Sequence, residues 1–348
     1  MEPRSMIDPT QPIAIYMQGA LGLDIGKMGY GILRYSPDPI ACVIDSDHAG
    51  KMVSDVVATP RDCPVVASVA DAYKLGGRIL ALGTAPPGGR LPDVWRGEID
   101  AAISSGMSVV NGLHEPLAPK YPHLAPGQVV WDIRQEPPGL DTGTGKARFL
   151  QNRRILMVGT DMAVGKMTAG LELWNAAKGA GIDAGFVATG QIGITVTGSG
   201  IPLDAIRVDY ASGAVEREVM RNEDKQWVIV EGQGSIVHPG STSTMPLLRG
   251  SMPTDLILCL KVGQTHLRRL PEIEIPPLPT LMRLYEDLAC AGGTFPAAQV
   301  KGLCANTSEL DEDAARRELA DLTALAGVPA VDPVRFGCAE LLTALEQN

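Results

Sequence analysis

The chain has 348 residues, 45% of them apolar and 20% charged; this is the balance of a soluble globular protein, longer than one hydrophobic core usually holds, so two domains are expected. A formal charge of −10 spread along the chain and an aromatic content of 4% argue against a nucleic-acid surface. No apolar run reaches membrane-spanning length, and the N-terminus lacks a basic segment followed by an apolar stretch, so a cytoplasmic protein with no membrane partner is expected.

Pro12-Ile-Ala-Ile-Tyr-Met17 reads as a strand, although the spacing of Gly19, Gly22 and Gly26 after it is not the GxGxxG of a dinucleotide loop. Next come a helical Lys27–Tyr35, the strand Ile40–Ile44 ending in Asp45, a short strand Pro64–Ala67, the helical Val69–Lys74 and the strand Arg78–Leu82. Such alternation builds a parallel sheet with helices on its faces, a Rossmann-like first domain. Gly83-Thr-Ala-Pro-Pro-Gly-Gly89 follows a strand end, where these sheets bind ligands; the loop either binds one or simply turns the chain. The helix Leu91–Ser104 leads to the strand Met107–His114, whose exit carries His114, a cleft residue or, more simply, a hydrogen-bonded structural one. Val129–Arg134 closes the domain, and the proline- and glycine-rich Gln135–Gly145 reads as the crossing into the second.

Arg154–Val158 reads as a buried strand, Gly159-Thr-Asp-Met-Ala-Val-Gly-Lys-Met-Thr168 as a glycine loop, and Ala169–Lys178 as a helix, which together are the phosphate-loop arrangement. Backbone N–H groups turned inward, a helix N-terminus and the charge of Lys166 make a seat for a polyphosphate. Gly159, Thr160, Asp161, Val164, Gly165, Lys166, Met167 and Thr168 are therefore the cofactor-binding candidates. Five residues separate Gly159 from Gly165 where the usual pattern has four, a spacing similar to that of the dethiobiotin synthetase and cobyrinate amidase relatives. Met167 stands where a hydroxyl would bind magnesium, and Thr168 comes about 100° further around the helix. Phosphate binding fits this loop better than magnesium-assisted hydrolysis, and no metal is assigned.

Beyond the loop, Gly185–Gly193 reads as a strand opening into a glycine turn, and Thr195–Asp209 as a loop. If that part is extended, Arg207 and Asp209 project on one face, as a clasp for a zwitterion or as a local salt bridge. Trp227-Val-Ile-Val-Glu231 is an apolar strand ending in an acid, which either faces the phosphates or caps a glycine turn. His238 lies a few residues further on, while His48, His123 and His266 show no metal-type clustering, and six cysteines (Cys42, Cys63, Cys259, Cys290, Cys304, Cys338) show no CxxC and read as reduced core residues. Strands Thr254–Lys261, Gln299–Asn306 and Val328–Asp332 and helices Leu278–Ala289, Asp311–Thr323 and Cys338–Leu345 complete the second α/β domain.

Gly29–Tyr35 with Val43–Asp45 and Ala49–Lys51, Gly83–Gly89, Asn111–His114, Asp132–Arg134, Gly159–Thr168, Thr189–Gly193, and Glu231–Ser235 with His238-Pro239 together resemble the D-glutamate N-acetyltransferase-like proteins, long a family of unknown function. The resemblance runs over nearly the whole chain. It implies an α/β protein of two domains, a Rossmann-like parallel sheet over 1–148 and a P-loop NTPase-like α/β domain over 149–348. It also implies transfer of an acetyl group from acetyl-CoA to the amine of D-glutamate or a related D-amino acid. The coenzyme's pyrophosphate suits a loop that breaks no bond to phosphorus. On that reading Glu231, Asp209 and His238 are the catalytic candidates, and Arg207, Gln191 and Gln233 the substrate-binding ones. The competing enzyme is an ATP-dependent ligase similar to dethiobiotin synthetase, with Thr168, Asp209 and Glu231 holding Mg2+; against it, Thr189-Gly-Gln191 replaces the Lys-Pro pair of the synthetase. A non-catalytic nucleotide-binding protein is the third possibility. Partners are small molecules, and acidic enzymes of this size commonly form symmetric homo-oligomers.

Overall fold

Short runs that are apolar on both faces pair side by side in this chain, and each of its two main sheets is parallel throughout. The computed structural model describes residues 7, 8, 10–84 and 91–347. By contacts the chain divides into two units, Met1–Glu136 with Gln191–Ala205, and Pro137–Gly190 with Ile206–Asn348. The first passage between units is at 136/137, and the later segment Gln191–Ala205 belongs to the first unit.

The first unit begins with β1 (Ile13–Tyr16), α1 (Lys27–Tyr35), β2 (Ile40–Ile44), β3 (Val65–Val66), α2 (Val69–Lys74), β4 (Ile79–Leu82), α3 (Asp93–Ser104), β5 (Ser108–Asn111) and β6 (Val130–Asp132). Its six strands lie in the order β3-β2-β1-β4-β5-β6, all parallel. This is the Rossmann order, and it reverses between β1 and β4. Every residue of β1, β4 and β5 is buried, as a sheet covered on both faces requires. On one face Trp95 of α3 meets Tyr16 of β1 edge-on, ring centroids 5.3 Å apart. Ser68 caps α2 by accepting the Asp71 N–H at 3.2 Å. Of the loop read as Gly83–Gly89, residues 85–89 lie outside the described residues.

The second unit opens with β7 (Arg153–Gly159), α4 (Lys166–Gly179) and β8 (Ala184–Val187). After Gly190 the chain enters the first unit as α5 (Gln191–Thr197), and there Ile192 packs where Gly31 of α1 offers no side chain. Back in the second unit follow α6 (Val208–Met220), β9 (Trp227–Val230), α7 (Thr244–Ser251), β10 (Asp255–Lys261), β11 (His266–Leu267), β12 (Leu270–Glu274), α8 (Leu278–Cys290), β13 (Gln299–Asn306), α9 (Glu312–Ala326), β14 (Ala330–Val331) and α10 (Ala339–Glu346). The main sheet runs β14-β13-β10-β7-β9-β8, all parallel, so the strand that feeds the phosphate loop is central. β11 and β12 form a separate antiparallel hairpin.

Two buried charges hold the base of this unit. Arg154 on β7 donates to the carbonyls of Met252, Leu150 and Asn152 at 2.9, 3.1 and 2.8 Å. Glu216 on α6 accepts the N–H and hydroxyl of Thr144, at 2.7 and 3.0 Å, together with the Lys146 N–H. The end of the proline-rich crossing is thereby fastened to α6.

The stretch read as the loop Thr195–Asp209 is in part helical. α5 forms from a β-branched run whose hydroxyls bond back one turn, Thr195 to the Gln191 carbonyl at 2.7 Å and Thr197 to that of Gly193 at 2.8 Å. α6 begins at Val208, so Arg207 and Asp209 are not an extended pair on one face; Arg207 is the residue before the helix and Asp209 lies in its first turn. Buried Ala211, Ala214, Val215, Glu218 and Val219 have the helical spacing that decides this. No helix among the described residues is long and apolar enough to cross a membrane.

Candidate phosphate-binding site

The loop between β7 and α4 is clamped from three sides. The Thr160 N–H donates to the Cys259 carbonyl of β10 at 3.0 Å, which fixes the exit from the sheet. The Tyr285 hydroxyl of α8 donates to the Gly159 carbonyl at 2.8 Å and accepts the Ile236 N–H at 3.1 Å. The Ser235 hydroxyl donates to the Thr160 carbonyl at 3.2 Å. Held at its base, the loop turns through two left-handed residues, Ala163 with φ 57° and Gly165 with φ 101°. A glycine takes the second of these angles without steric cost. Gly165 is also the N-cap of α4 and brings no side chain to bond the N–H groups of the first turn. Those orphan donors, with the positive end of the helix dipole, make the cradle that an anion needs.

Lys166, the first residue of α4, is buried, and its Nζ donates to the Asp161 carbonyl at 2.8 Å. Burial pushes its pKa down from 10.5 to about 8, against the opposing pull of Cys259, Asp161 and Glu231. An anion seated in the loop would supply the counter-charge that burial withholds. The Asp161 carboxylate points to the loop's own surroundings. Its Oδ1 accepts the Met162 N–H at 2.6 Å, while Oδ2 accepts Gln264 Nε2 at 2.7 Å and the Arg268 N–H at 2.8 Å. It ties the β11–β12 hairpin to the loop. Val164 is buried, and Met167 and Thr168 are half-buried in the first turn of α4.

Next to the loop, β9 delivers Glu231. One carboxylate oxygen accepts two buried N–H groups, those of Thr189 at 2.8 Å and Gly190 at 3.1 Å, and the Glu231 carbonyl accepts the Thr189 hydroxyl at 2.9 Å. The acid thus anchors the turn after β8. Gln233 packs its amide against Gly190. The chain between them must be glycine, since a Cβ on Gly232 would overlap the Met157 carbonyl oxygen. His238 is buried, its Nδ1 accepts the Gly240 N–H at 3.0 Å, and its Nε2 has no partner among the described residues.

The structure therefore gathers the loop, Glu231 and Gln233 around the ends of β7, β8 and β9, with His238 on the segment that braces the loop. Arg207 and Asp209 are exposed at the start of α6, the Arg207 guanidinium 4.7 Å from the Tyr210 ring centroid. Gln191 opens α5 in the first unit. There, too, His114 Nε2 is bonded to Arg134 Nη1 at 2.6 Å, the hydrogen-bonded structural role. Tyr285 and Gln264, which shape the loop, are not among the residues singled out in the sequence, and Ser235 is there only as the end of the Glu231–Ser235 segment. Tyr285 sits at an apolar helical position, and nothing local marks Ser235 or Gln264 as partners of residues 75 and 103 positions away.

Comparison with known proteins agrees with this architecture. Residues 46–136 match the Rossmann-like domain of unknown function DUF1611_N, and residues 141–342 the P-loop domain DUF1611_C. A crystal structure of a DUF1611 family protein from Anabaena variabilis is 48% identical, covers 97% of this chain and 100% of its own, and superposes with a TM-score of 0.93. Two curated relatives bear the name D-glutamate N-acetyltransferase. One, from a Pseudoalteromonas species, is 38% identical over 78% of this chain and 82% of its own; the other, from Tritonibacter scottomollicae, is 32% identical over 96% and 98%. With both of its domain models matched and the resemblance to D-glutamate N-acetyltransferase-like proteins extending over most of its length, the chain belongs to the DUF1611 family.

Proposed function

We propose that the protein is an N-acetyltransferase that moves the acetyl group of acetyl-CoA to the amine of D-glutamate. The observation that carries this reading is the shared name of two relatives that align over 78% and 96% of the chain. The loop fits the coenzyme: orphan N–H donors at the start of α4 and the buried amine of Lys166 match a pyrophosphate, and no bond to phosphorus has to break.

Within this reading, Glu231 takes the proton from the attacking amine, its orientation fixed by the Thr189 and Gly190 N–H groups. His238 acts as a donor. Its Nδ1 accepts the Gly240 N–H, so the ring proton sits on Nε2, ready for an oxygen on which charge develops. Arg207 offers its guanidinium to a substrate carboxylate, with Asp209 two residues on and Gln233 beside the turn as further polar contacts. A cytoplasmic homo-oligomer belongs to the same reading, and light scattering of the purified protein tests the oligomer.

The decisive test is incubation of purified protein with acetyl-CoA and a panel of D- and L-amino acids, with the acetylated product read by mass spectrometry. N-acetyl-D-glutamate that disappears on Lys166→Ala is the expected result. No acetylated acceptor, with ATP consumed once a carboxylate or amine is added, would replace the transferase with the ligase.

A further inference from the structure

A cavity of about 210 Å³ opens beside the phosphate loop, at the carboxyl ends of β13 and β14. Its apolar walls are Val164 and Ala169 from the loop and α4, Cys304 and Ala305 from β13, and Pro333 and Val334 after β14. That volume is below the ~300 Å³ at which pockets for whole small molecules begin, so it suits one flat ring system rather than a complete ligand. Gly165 and Thr168 also line it, which sets the ring site directly against the phosphate cradle.

The polar groups at the cavity are Thr168, Asn306, Ser308, Asp332 and Arg335; Arg335 Nη1 is committed to the Thr307 carbonyl and hydroxyl and the Leu310 carbonyl, at 3.1, 3.3 and 2.9 Å, so Asn306 and Asp332 discriminate between rings. Asn306 Oδ1 accepts the Ser308 N–H at 3.0 Å, which leaves it a second lone pair, and Asn306 Nδ2 has no partner among the described residues. An amide with one acceptor site and a free NH₂ matches the N6/N7 edge of adenine. Asp332 also lines the cavity, and a carboxylate there would ordinarily welcome the N1–H and N2–H₂ donors of guanine. Its capacity is already spent. Oδ1 accepts the N–H groups of Val334 and Arg335 at 3.0 and 3.1 Å, and Oδ2 accepts the N–H and hydroxyl of Thr307 at 3.0 and 2.6 Å. Four donors fill the four lone-pair positions of a carboxylate.

We propose that this cavity is an adenine-specific site, holding the ring of a ligand whose phosphates lie in the loop. The assignment rests on the loop being a phosphate cradle, and it applies equally to the adenosine diphosphate portion of coenzyme A and to ATP. Asn306 reads the ring edge, and the aliphatic walls cover its faces.

Titration calorimetry of the full-length protein with pyrophosphate, adenosine, ADP, GDP, coenzyme A and ATP tests it. ADP is expected to bind at least tenfold more tightly than either GDP or pyrophosphate. In Val334→Trp, at a half-exposed wall, ADP affinity is expected to fall to that of pyrophosphate while pyrophosphate binding is unchanged. Ser308→Trp, an exposed position on the β13 side, repeats the measurement should the first variant be unstable. Equal affinities for ADP and GDP, or a Val334→Trp loss that is as large for pyrophosphate as for ADP, would overturn the proposal. Adenosine that binds and is lost in Val334→Trp, with pyrophosphate binding insensitive to Lys166→Ala, would keep the ring site and remove the phosphate reading of the loop. Absence of binding by every ligand would overturn both. The ratio of coenzyme A to ATP affinity identifies which source of adenine the site serves.

Discussion

His238 Nδ1 accepts the Gly240 N–H at 3.0 Å, and the opposite ring nitrogen, Nε2, is buried with no partner among the described residues. A buried N–H left unpaired costs roughly 1–3 kcal/mol, and on the proposed reading an acceptor on the substrate satisfies it. His238→Gln retains a donor and is expected to hold kcat within about tenfold, whereas His238→Ala is expected to lose about 10²–10³-fold, as loss of an oxyanion donor does. Initial rates of N-acetyl-D-glutamate formation measure both. Equal losses in the two variants would remove the donor role.

Glu231 joins a structural duty to its proposed chemical one, and two substitutions separate them. Glu231→Ala strands the N–H groups of Thr189 and Gly190 and is expected to cost about 2–4 kcal/mol in urea unfolding, while Glu231→Gln keeps an oxygen for them and costs about 1 kcal/mol. If Glu231 is also the base, Glu231→Gln lowers kcat by about 10²–10⁴-fold despite its near-normal stability. Full turnover in that variant would leave Glu231 as an anchor alone.

The Lys166 amine has a pKa near 8 because it is buried, against an ordinary 10.5. On the proposed reading the charged form is the one that holds the phosphates. Affinity for ADP or coenzyme A is therefore expected to be flat below about pH 8 and then to fall by up to tenfold per pH unit, as binding begins to require proton uptake. Stability runs the other way over the same window. Between about 8 and 10.5 the unfolded chain binds more protons at this lysine than the folded one, so its contribution to folding improves as pH rises. Calorimetry from pH 7 to 9.5 in buffers of different ionisation heat reads the proton uptake, and Lys166→Gln should abolish the slope.

Gly232 lies too close to the Met157 carbonyl for any Cβ, whereas a Cβ at Gly179, the last residue of α4, would meet nothing within 4 Å. Gly232→Ala is expected to destabilise by about 3 kcal/mol, and Gly179→Ala to be neutral or to stabilise by about 0.5 kcal/mol. Thermal melts of the two variants provide the comparison. A tolerated Gly232→Ala would mean that β7 and the segment after β9 can part without loss.

The elements legible in the sequence are those whose signal is local. The parallel strands appear as uninterrupted apolar runs, and the phosphate loop announces itself because strand, glycine turn, Gly165-Lys166 and helix are contiguous. α5 is not legible. Ile192, Ile194 and Val196 favour a strand, and the helix packs Ile192 against Gly31, a contact between residues far apart in the sequence. α6, by contrast, is written in the spacing of Ala211, Ala214, Val215 and Val219, and the expectation of extended chain at Arg207 and Asp209 passes over it. At the site, the types of residue are readable but their partners are not. Nothing near Asp161 in the chain shows that its carboxylate is committed to Gln264 and Arg268.

The chain passes between its two contact units at 136/137, 190/191 and 205/206. The units are therefore stitched rather than strung together, and no single cut in the polypeptide releases either one whole. A fragment beginning at residue 137 would carry α5 without the helix it packs on, and one ending at 136 would lack α5. A recombination with one crossover could not exchange the Rossmann-like half for another of its kind; it would have to bring a matching insert of fifteen residues, Gln191–Ala205, into the middle of the P-loop half. The two domain models that match in succession along the sequence thus describe parts whose contact units interleave along the chain.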